Sequence, residues 1–373
     1  DNIMVLVKNL KVVEYIKKES VLIIALFLAI TTSFIYTPKM EYIDFKTLIL
    51  LFNLMIIVSA FKKLKFLDYI AVAVVKKCST YKHLSVALVF ITFFASMLVT
   101  NDVALITFVP ITMIIGSKLD IDVLKIVVFQ TLAANLGSSL TPMGNPQNLF
   151  TYTYYNISPI RFFQITVPIA LMSILFLIML IFKSKNKVIN ISIDKVIIGD
   201  RKKLISYSIL LVIILFSVFH VIDYKLSFLL TLLFIFFMDR KLFFEVDYSL
   251  LITFIGFFIF VGNISNSIQI QNFMKTILSG ESNTYYAGII ISQFISNVPA
   301  AMLLSGFTEN FNDLILGVNI GGMGTLIASM ASVISYKLYC TSNNESRTRY
   351  LRVFTMYNIL GLALFTILFK FIL

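Results

Sequence analysis

Charge is scarce in this sequence: only 13% of its 373 residues are Asp, Glu, Lys or Arg, and there are two histidines. There are also only two cysteines, Cys78 and Cys340. Two distant thiols supply neither a disulfide framework nor the paired spacing of a zinc site, and they read as unpaired small hydrophobes. His83 and His220 fall near the ends of apolar runs and read as interfacial rather than catalytic. No paired acid and base, nucleophile or metal cluster emerges, so the chain does not read as an enzyme and no organic cofactor is expected.

Apolar residues are abundant. They make up 59% of the chain, against about 45–50% in soluble domains. That excess cannot be hidden in a water-soluble core, and the charges cluster between long apolar runs, as in a chain adapted to a lipid bilayer. The net charge is +12, but the lysines and arginines sit in short loops at alternate ends of apolar segments, as the positive-inside rule describes. No basic face interleaved with aromatics is present, so nucleic acid is excluded as a partner. The apolar run after Ser20 is too long for a cleavable signal peptide, and no small-residue cleavage site follows it.

Along the chain, spans are expected over 21–36, 46–61, 161–182, 204–222, 226–238, 250–261 and 351–373. Residues 66–75 are too few for a crossing of ~20 residues and read as an interfacial helix, as does 263–280. Residues 83–115 are apolar but interrupted by Thr100-Asn101-Asp102, with lysines at both ends. A re-entrant hairpin that returns to its starting side explains this, whereas one straight crossing would bury the tripeptide at mid-membrane. Residues 126–150 read as helix up to Asn135 and then break over 137–146, which holds two glycines and two prolines. The second half has a hairpin over 285–307, broken at Ser296-Asn297-Val298-Pro299, and a broken helix over 314–338 around Asn319-Ile320-Gly321-Gly322.

If both hairpins return to their own side, one set of loops holds Lys8, Lys11, Lys17, Lys18, the group from Lys62 to Lys82, Lys118, Lys125, the basic residues of 183–203, Arg240, Lys241, Lys337, Arg347, Arg349 and Arg352. The other side holds only Lys39, Lys46, Arg161, Lys225, Lys275 and Lys370. The first set is therefore expected in the cytoplasm. This gives nine full spans and two hairpins in the cell membrane, with a cytoplasmic N-terminus and an extracellular C-terminus.

The two halves match. Ser96, Thr100 and Asn101 recur as Ser292, Ser296 and Asn297 at an offset of 196, and Asn135, Gly137 and Thr141 recur as Asn319, Gly321 and Thr325 at an offset of 184. The expected fold is an all-α polytopic membrane protein with an inverted-topology repeat, two re-entrant helical hairpins and two broken transmembrane helices. Residues 1–182 form the first repeat, 183–222 a linking loop and span, and 223–373 the second, inverted repeat. Repeats of this kind place binding sites at the bilayer midplane, between discontinuous helices. Helix N-termini there offer N–H groups to anions, and unwound carbonyls with Ser, Thr and Asn oxygens suit sodium.

These residues carry a resemblance. Thr100-Asn101-Asp102-Val103-Ala104-Leu105 with Pro110 looks like the Asn-Asp motif of the arsenite-permease branch of the ion transporter superfamily. Asn135-Leu136-Gly137 through Thr141-Pro142-Met143-Gly144-Asn145-Pro146-Gln147-Asn148 resembles the glycine-rich broken helix of the whole group, which also includes divalent-anion/sodium symporters, citrate transporters and sodium/proton antiporters. The resemblance covers nearly the whole chain. It implies one cation site at Ser96, Thr100, Asn101 and Gly137, with Ser138 beside it. It implies another at Ser292, Ser296, Asn297 and Gly321, with Gly322 beside it. Thr141 and Thr325 would face the substrate, with Pro142 and Val298 adjoining. An elevator motion and a homodimer are implied as well. The sequence departs from the symporter pattern at the third tip position, which is Asp102 in one half and Val298 in the other.

Asp102 is the carboxylate expected deepest in a membrane segment. It reads either as the N-cap of the second hairpin limb or as a cation ligand or proton carrier. No Arg or Lys lies at either tip or break. A strongly charged anion would then depend on helix N-termini, hydroxyls and coupling cations, and a weakly charged substrate fits equally well. Three functions follow: a sodium- or proton-coupled symporter for a small anion, a cation/proton or metalloid/proton antiporter using Asp102, and a non-transporting membrane enzyme or scaffold.

Overall fold

A computed structural model of the chain describes residues 19–184, 186–190, 196–342 and 347–370. Lys8, Lys11, Lys17, Lys18, Lys185 and Lys195 lie outside the described residues, as do both chain termini. The described residues form seventeen α-helices and no named strand. They are α1 Ser20–Ser33, α2 Phe45–Lys63, α3 Phe66–Val75, α4 Tyr81–Val99, α5 Asn101–Leu119, α6 Leu124–Ser138, α7 Pro146–Tyr154, α8 Pro159–Phe182 and α9 Arg201–Val218. There follow α10 Tyr224–Met238, α11 Tyr248–Ile264, α12 Ile268–Leu278, α13 Asn283–Ile295, α14 Asn297–Ser305, α15 Phe311–Ile320, α16 Met330–Ser342 and α17 Arg347–Lys370. Five of these, α2, α4, α5, α8 and α17, are long and apolar enough to cross a membrane.

Local chemistry sets many of the helix starts. Asp44, Thr80, Asn145, Ser158, Asp200, Asp223 and Asp247 each accept a hydrogen bond from a first-turn N–H of the helix that follows. Each so satisfies a donor that the helix itself leaves open. Pro146 and Pro159 open α7 and α8, where the missing N–H costs nothing. The segment 263–280, expected as an interfacial helix, holds α12, bent 100° from α11.

Contacts between loops sort them into two ends. At one end, Lys63 pairs with Asp239 at 2.5 Å, the Tyr81 N–H donates to the Lys187 carbonyl at 2.8 Å, and Arg349 pairs with Asp122. The Lys82 ammonium there donates to the Phe182 carbonyl at 3.0 Å. At the other end, Asn266 donates to Tyr42 at 2.9 Å, and Thr47 bonds Asp44 and Thr153. The Tyr155 hydroxyl donates to the Thr308 carbonyl at 2.7 Å. Helix α8, about 36 Å long at 1.5 Å per residue, joins the two ends, from Ser158 to Phe182.

Helices α4 and α5 form one helical hairpin whose base closes where the Tyr81 hydroxyl donates to the Asp122 carbonyl, 3.1 Å. Helices α13 and α14 form another, whose base closes where Thr284 meets Thr308, 3.1 Å. The two bases adjoin opposite ends of α8.

Candidate functional site at the hairpin tips

Each hairpin turns on one residue. Thr100 has φ 73° and ψ 154°, and Ser296 has φ 75° and ψ 154°. Positive φ with extended ψ is glycine territory, and holding another residue there costs about 1–3 kcal/mol. The interruption is therefore narrower than the sequence suggests, because helix resumes at Asn101 and at Asn297. The N-cap residues Thr100 and Ser296 make no side-chain cap bond, but in α5 the Asn101 side-chain oxygen accepts from the Asp102 N–H at 3.0 Å. Asp102 is not the N-cap: Thr100 occupies that position, and Asp102 lies inside the first turn, where the helix dipole favours a negative charge.

Each tip is tied to the helix break of its own half. The Asn101 N–H donates to the Gly144 carbonyl at 3.1 Å, and the Ser296 hydroxyl to the Ala328 carbonyl at 3.5 Å. Thr141 donates to the Met97 carbonyl at 2.5 Å, and Thr325 to the Gln293 carbonyl at 3.0 Å. The two glycines are held by close approach. A Cβ on Gly137 would sit 2.7 Å from the Ser96 oxygen, and one on Gly321 would sit 2.9 Å from the Ser292 oxygen. A Cβ on Gly322 would lie 2.9 Å from the Asn297 amide nitrogen. The first group (Ser96, Thr100, Asn101, Gly137, Ser138) and the second (Ser292, Ser296, Asn297, Gly321, Gly322) thus each gather locally. Helix α6 runs on to Ser138, three residues beyond the expected stop at Asn135. Pro142 is buried within the first break and Val298 is half-buried, whereas Thr325 is exposed.

The two halves join through asparagines. The Asn135 side-chain oxygen accepts from Asn101 at 3.2 Å and from Ser329 at 2.9 Å. Its nitrogen donates to the Gly322 carbonyl at 3.4 Å and to Ser332 at 3.3 Å. All four bonding positions of this buried amide are filled. Its counterpart Asn319 accepts from Asn145 at 3.2 Å and donates to Asn148 at 2.6 Å and to the Ile315 carbonyl at 2.8 Å. The exchange is reciprocal, since the offset of 184 that relates Asn135 to Asn319 also carries Asn145 to Ser329 and Asn148 to Ser332. Sequence reasoning left Asn135, Asn145, Asn148, Asn319, Ser329 and Ser332 out of the site. Extending the offset past Thr141 was the signal that could have found them.

A cavity of about 610 Å³ reaches the first tip. Thr100, Asp102, Met143 and Asn145 line its depth, with Leu51, Leu54, Met55 and Val58 of α2 along one wall, and it also meets Lys62, Lys63, Lys65, Glu245 and Asp247. Lys62 and Lys65 are exposed, and among the described residues no cation pairs with Asp102. Lys63 is held by Asp239. Burial pushes the Asp239 carboxyl up, but the Lys63 bond and charge and the Lys241 N–H outweigh this and keep it below its ordinary value. Hydroxyls, amides and helix N-termini can hold a small ion or a polar solute, and the carboxylate can bind or release a cation.

Comparison with known proteins gives the family. Residues 10–312 match the model of the citrate transporter family. An uncharacterized transporter of Methanocaldococcus jannaschii is 37% identical over 300 residues, covering 79% of this chain and 81% of that one. The inner membrane protein YbiR of Escherichia coli is 28% identical over 301 residues, covering 79% and 80% respectively. The chain is a multi-pass membrane transporter that belongs to the citrate transporter family, within the ion transporter superfamily.

Proposed function

We propose that this transporter is an ion-coupled secondary carrier that moves a small anion across the cell membrane by alternating access, driven by sodium or protons. The observation that carries the reading is the reciprocal asparagine exchange, which brings both tips and both breaks together beside a cavity ending at Asp102. The matched tips, and hairpin bases at opposite ends of α8, support an inverted repeat of 1–182 and 223–373. The lysine-rich end is the cytoplasmic one by the positive-inside rule. The N-terminus is then inside, the C-terminus outside, and the cavity faces the cytoplasm. The first turn of α14, whose N-cap makes no side-chain bond, receives the anion, with Thr141 and Thr325 beside it. Ser96, Thr100, Asn101 and Gly137 supply a cation site. The family's name directs attention to citrate-like carboxylates. Movement of the tips and breaks against α2 and α11 is of elevator type.

A second reading, antiport of a cation or metalloid against protons, is favoured by Asp102, an acid in a cavity-lining membrane helix with no paired cation among the described residues. Proteoliposome uptake of carboxylates, oxyanions and arsenite under imposed sodium or proton gradients tests both. Sodium-driven uptake that survives Asp102→Asn identifies the symporter, and loss of proton flux in that variant identifies the antiporter. If neither gradient moves any of these solutes, the carrier reading fails.

A further inference from the structure

A second cavity, of about 350 Å³, lies between the first hairpin and the helices around it. Helices α2, α3, α4, α5 and α9 line it, and apart from Ser208 every lining residue is apolar. The Ser208 hydroxyl donates within its own helix, to the Leu204 carbonyl at 2.8 Å. A buried water needs about two to four polar partners, and this lining offers one hydroxyl at most. The space therefore suits hydrocarbon. Its rim also faces hydrocarbon: Phe94 and Leu98 of α4 line the cavity and are exposed, as are Ile205 and Ile209 beside Ser208 on α9. The volume is that of a small-ligand pocket, which runs from about 300 to 1,000 Å³.

One end of the cavity is ringed by cations. Phe61 and Phe66, both lining residues, flank Lys62, Lys63 and Lys65 in the chain. The Gly199 N–H donates to the Leu64 carbonyl at 3.2 Å, which brings the start of α9, with Arg201 and Lys202, against this turn. Arg201 and Lys202 stand in the first turn of α9, where the helix dipole disfavours cations, so they do not serve the helix. Lys62, Lys65, Arg201 and Lys202 are exposed, and among the described residues none is paired with a carboxylate. Lys63 is taken by Asp239. The acids of this collar are Asp68, which is half-buried, and Asp200, whose carboxylate accepts from the N–H groups of Lys202 and Lys203. Positive charge is thus in excess beside an apolar cleft between membrane helices, the arrangement that takes an anionic lipid headgroup.

We propose that this cavity holds one acyl tail of an anionic phospholipid, with the headgroup phosphate on Lys62, Lys65, Arg201 and Lys202. The site is distinct from the cavity that ends at Asp102 but shares a wall with it, since Val58 and Val99 line both. Val99 immediately precedes the tip residue Thr100, so a bound tail packs against the base of the first tip. Lys62 and Lys65 also meet the other cavity, whereas Arg201 and Lys202 do not. From the carrier reading the proposal takes only the leaflet, the cytoplasmic one.

The test is native mass spectrometry of purified, delipidated protein titrated with dioleoyl phosphatidylglycerol or dioleoyl phosphatidylcholine, which needs no transport assay and so stands or falls apart from the carrier reading. Phosphatidylglycerol is expected to bind wild type about tenfold more tightly than phosphatidylcholine. The double variant Arg201→Gln/Lys202→Gln leaves the cavity at Asp102 untouched and is expected to weaken phosphatidylglycerol about tenfold. Ser208→Phe fills the apolar cavity and is expected to lose the bound lipid, whereas Ser208→Ala keeps it. Dihexanoyl phosphatidylglycerol has the same headgroup on short tails and is expected to bind wild type far more weakly. That comparison reads the tail's share even where Ser208→Phe fails to fold. The proposal is overturned if the two dioleoyl lipids bind alike, if the double variant binds phosphatidylglycerol as wild type does, or if a folded Ser208→Phe retains it. Equal binding of the short- and long-tailed phosphatidylglycerols would show a headgroup site without the cavity, and overturns it too.

Discussion

The first hairpin has two limbs of 19 residues each, while the second has limbs of 13 and 9 residues. At 1.5 Å per residue these are about 28 Å in the first, and about 20 and 14 Å in the second. Yet the tips share one backbone conformation to within a few degrees. Limb length is therefore free to vary, while tip geometry is held in common. The longer hairpin needs additional bracing in its shaft. Gln130 of α6 supplies it, accepting from Thr112 at 2.8 Å and donating to Thr92 at 3.1 Å, all three buried. At the position matching Gln130 the second half has Leu314. The tips carry what is shared, and the shafts carry what is particular.

The strongest challenge to this equivalence is removal of the asparagines. Asn135→Ala removes a partner from Asn101, Ser329, Ser332 and the Gly322 carbonyl, and Asn319→Ala removes one from Asn145 and from the Asn148 side-chain oxygen. A buried group left unpaired costs about 1–3 kcal/mol. Each variant should lose at least that much in a detergent melt, with Asn135→Ala losing more because more partners are stranded. A pair of silent substitutions would mean the exchange holds nothing together.

Relief of tip strain is a smaller effect of opposite sign. Thr100→Gly and Ser296→Gly remove about 1–3 kcal/mol of strain and add about 0.5–1 kcal/mol of chain entropy to be lost on folding. Both should melt slightly higher than wild type, by similar amounts. A rise in one half only would break the equivalence of the tips.

The smallest effect lies at the end of α10. Asp239→Asn removes the pairing with Lys63, a contact worth at most about 1 kcal/mol near a surface. The Asp239 carboxyl is held below its ordinary value in the folded chain. Its contribution is thus complete above the unfolded value near pH 4 and fades as pH falls through the folded one. Melts of wild type and Asp239→Asn should differ at pH 7 and converge as the solution is acidified below about pH 4.

Much of this was legible in the sequence because the physics was local. Glycine, proline and polar residues inside apolar runs mark breaks whatever surrounds them, and Ser96-x-x-x-Thr100-Asn101 recurs plainly enough to align two halves. The ends of helices were less legible. The run through Gly137 and Ser138 continues as helix because the close approach of Phe93 and Ser96 leaves room for a glycine there, which favours packing over breaking. The role of Asp102 turned on a single dihedral, since Thr100, at positive φ, takes the cap position and leaves the acid within the first turn. Gln293 could not be seen at all. An amide after a serine looks like any other polar residue until the carbonyls of a distant segment are placed around it.

The asparagine exchange has a mechanical consequence. Each half grips the other through side chains buried at the join, so in the proposed elevator motion the two breaks and the two tips would travel as one body. Displacement in that motion would fall to the outer faces of the body. One of those faces meets α2 through Leu51, Leu54, Met55 and Val58, which hold no hydrogen bonds to be broken and would yield like a greased track. In that motion the knot of oxygens from Asp44, Thr47 and Thr153 would be the catch that opens first.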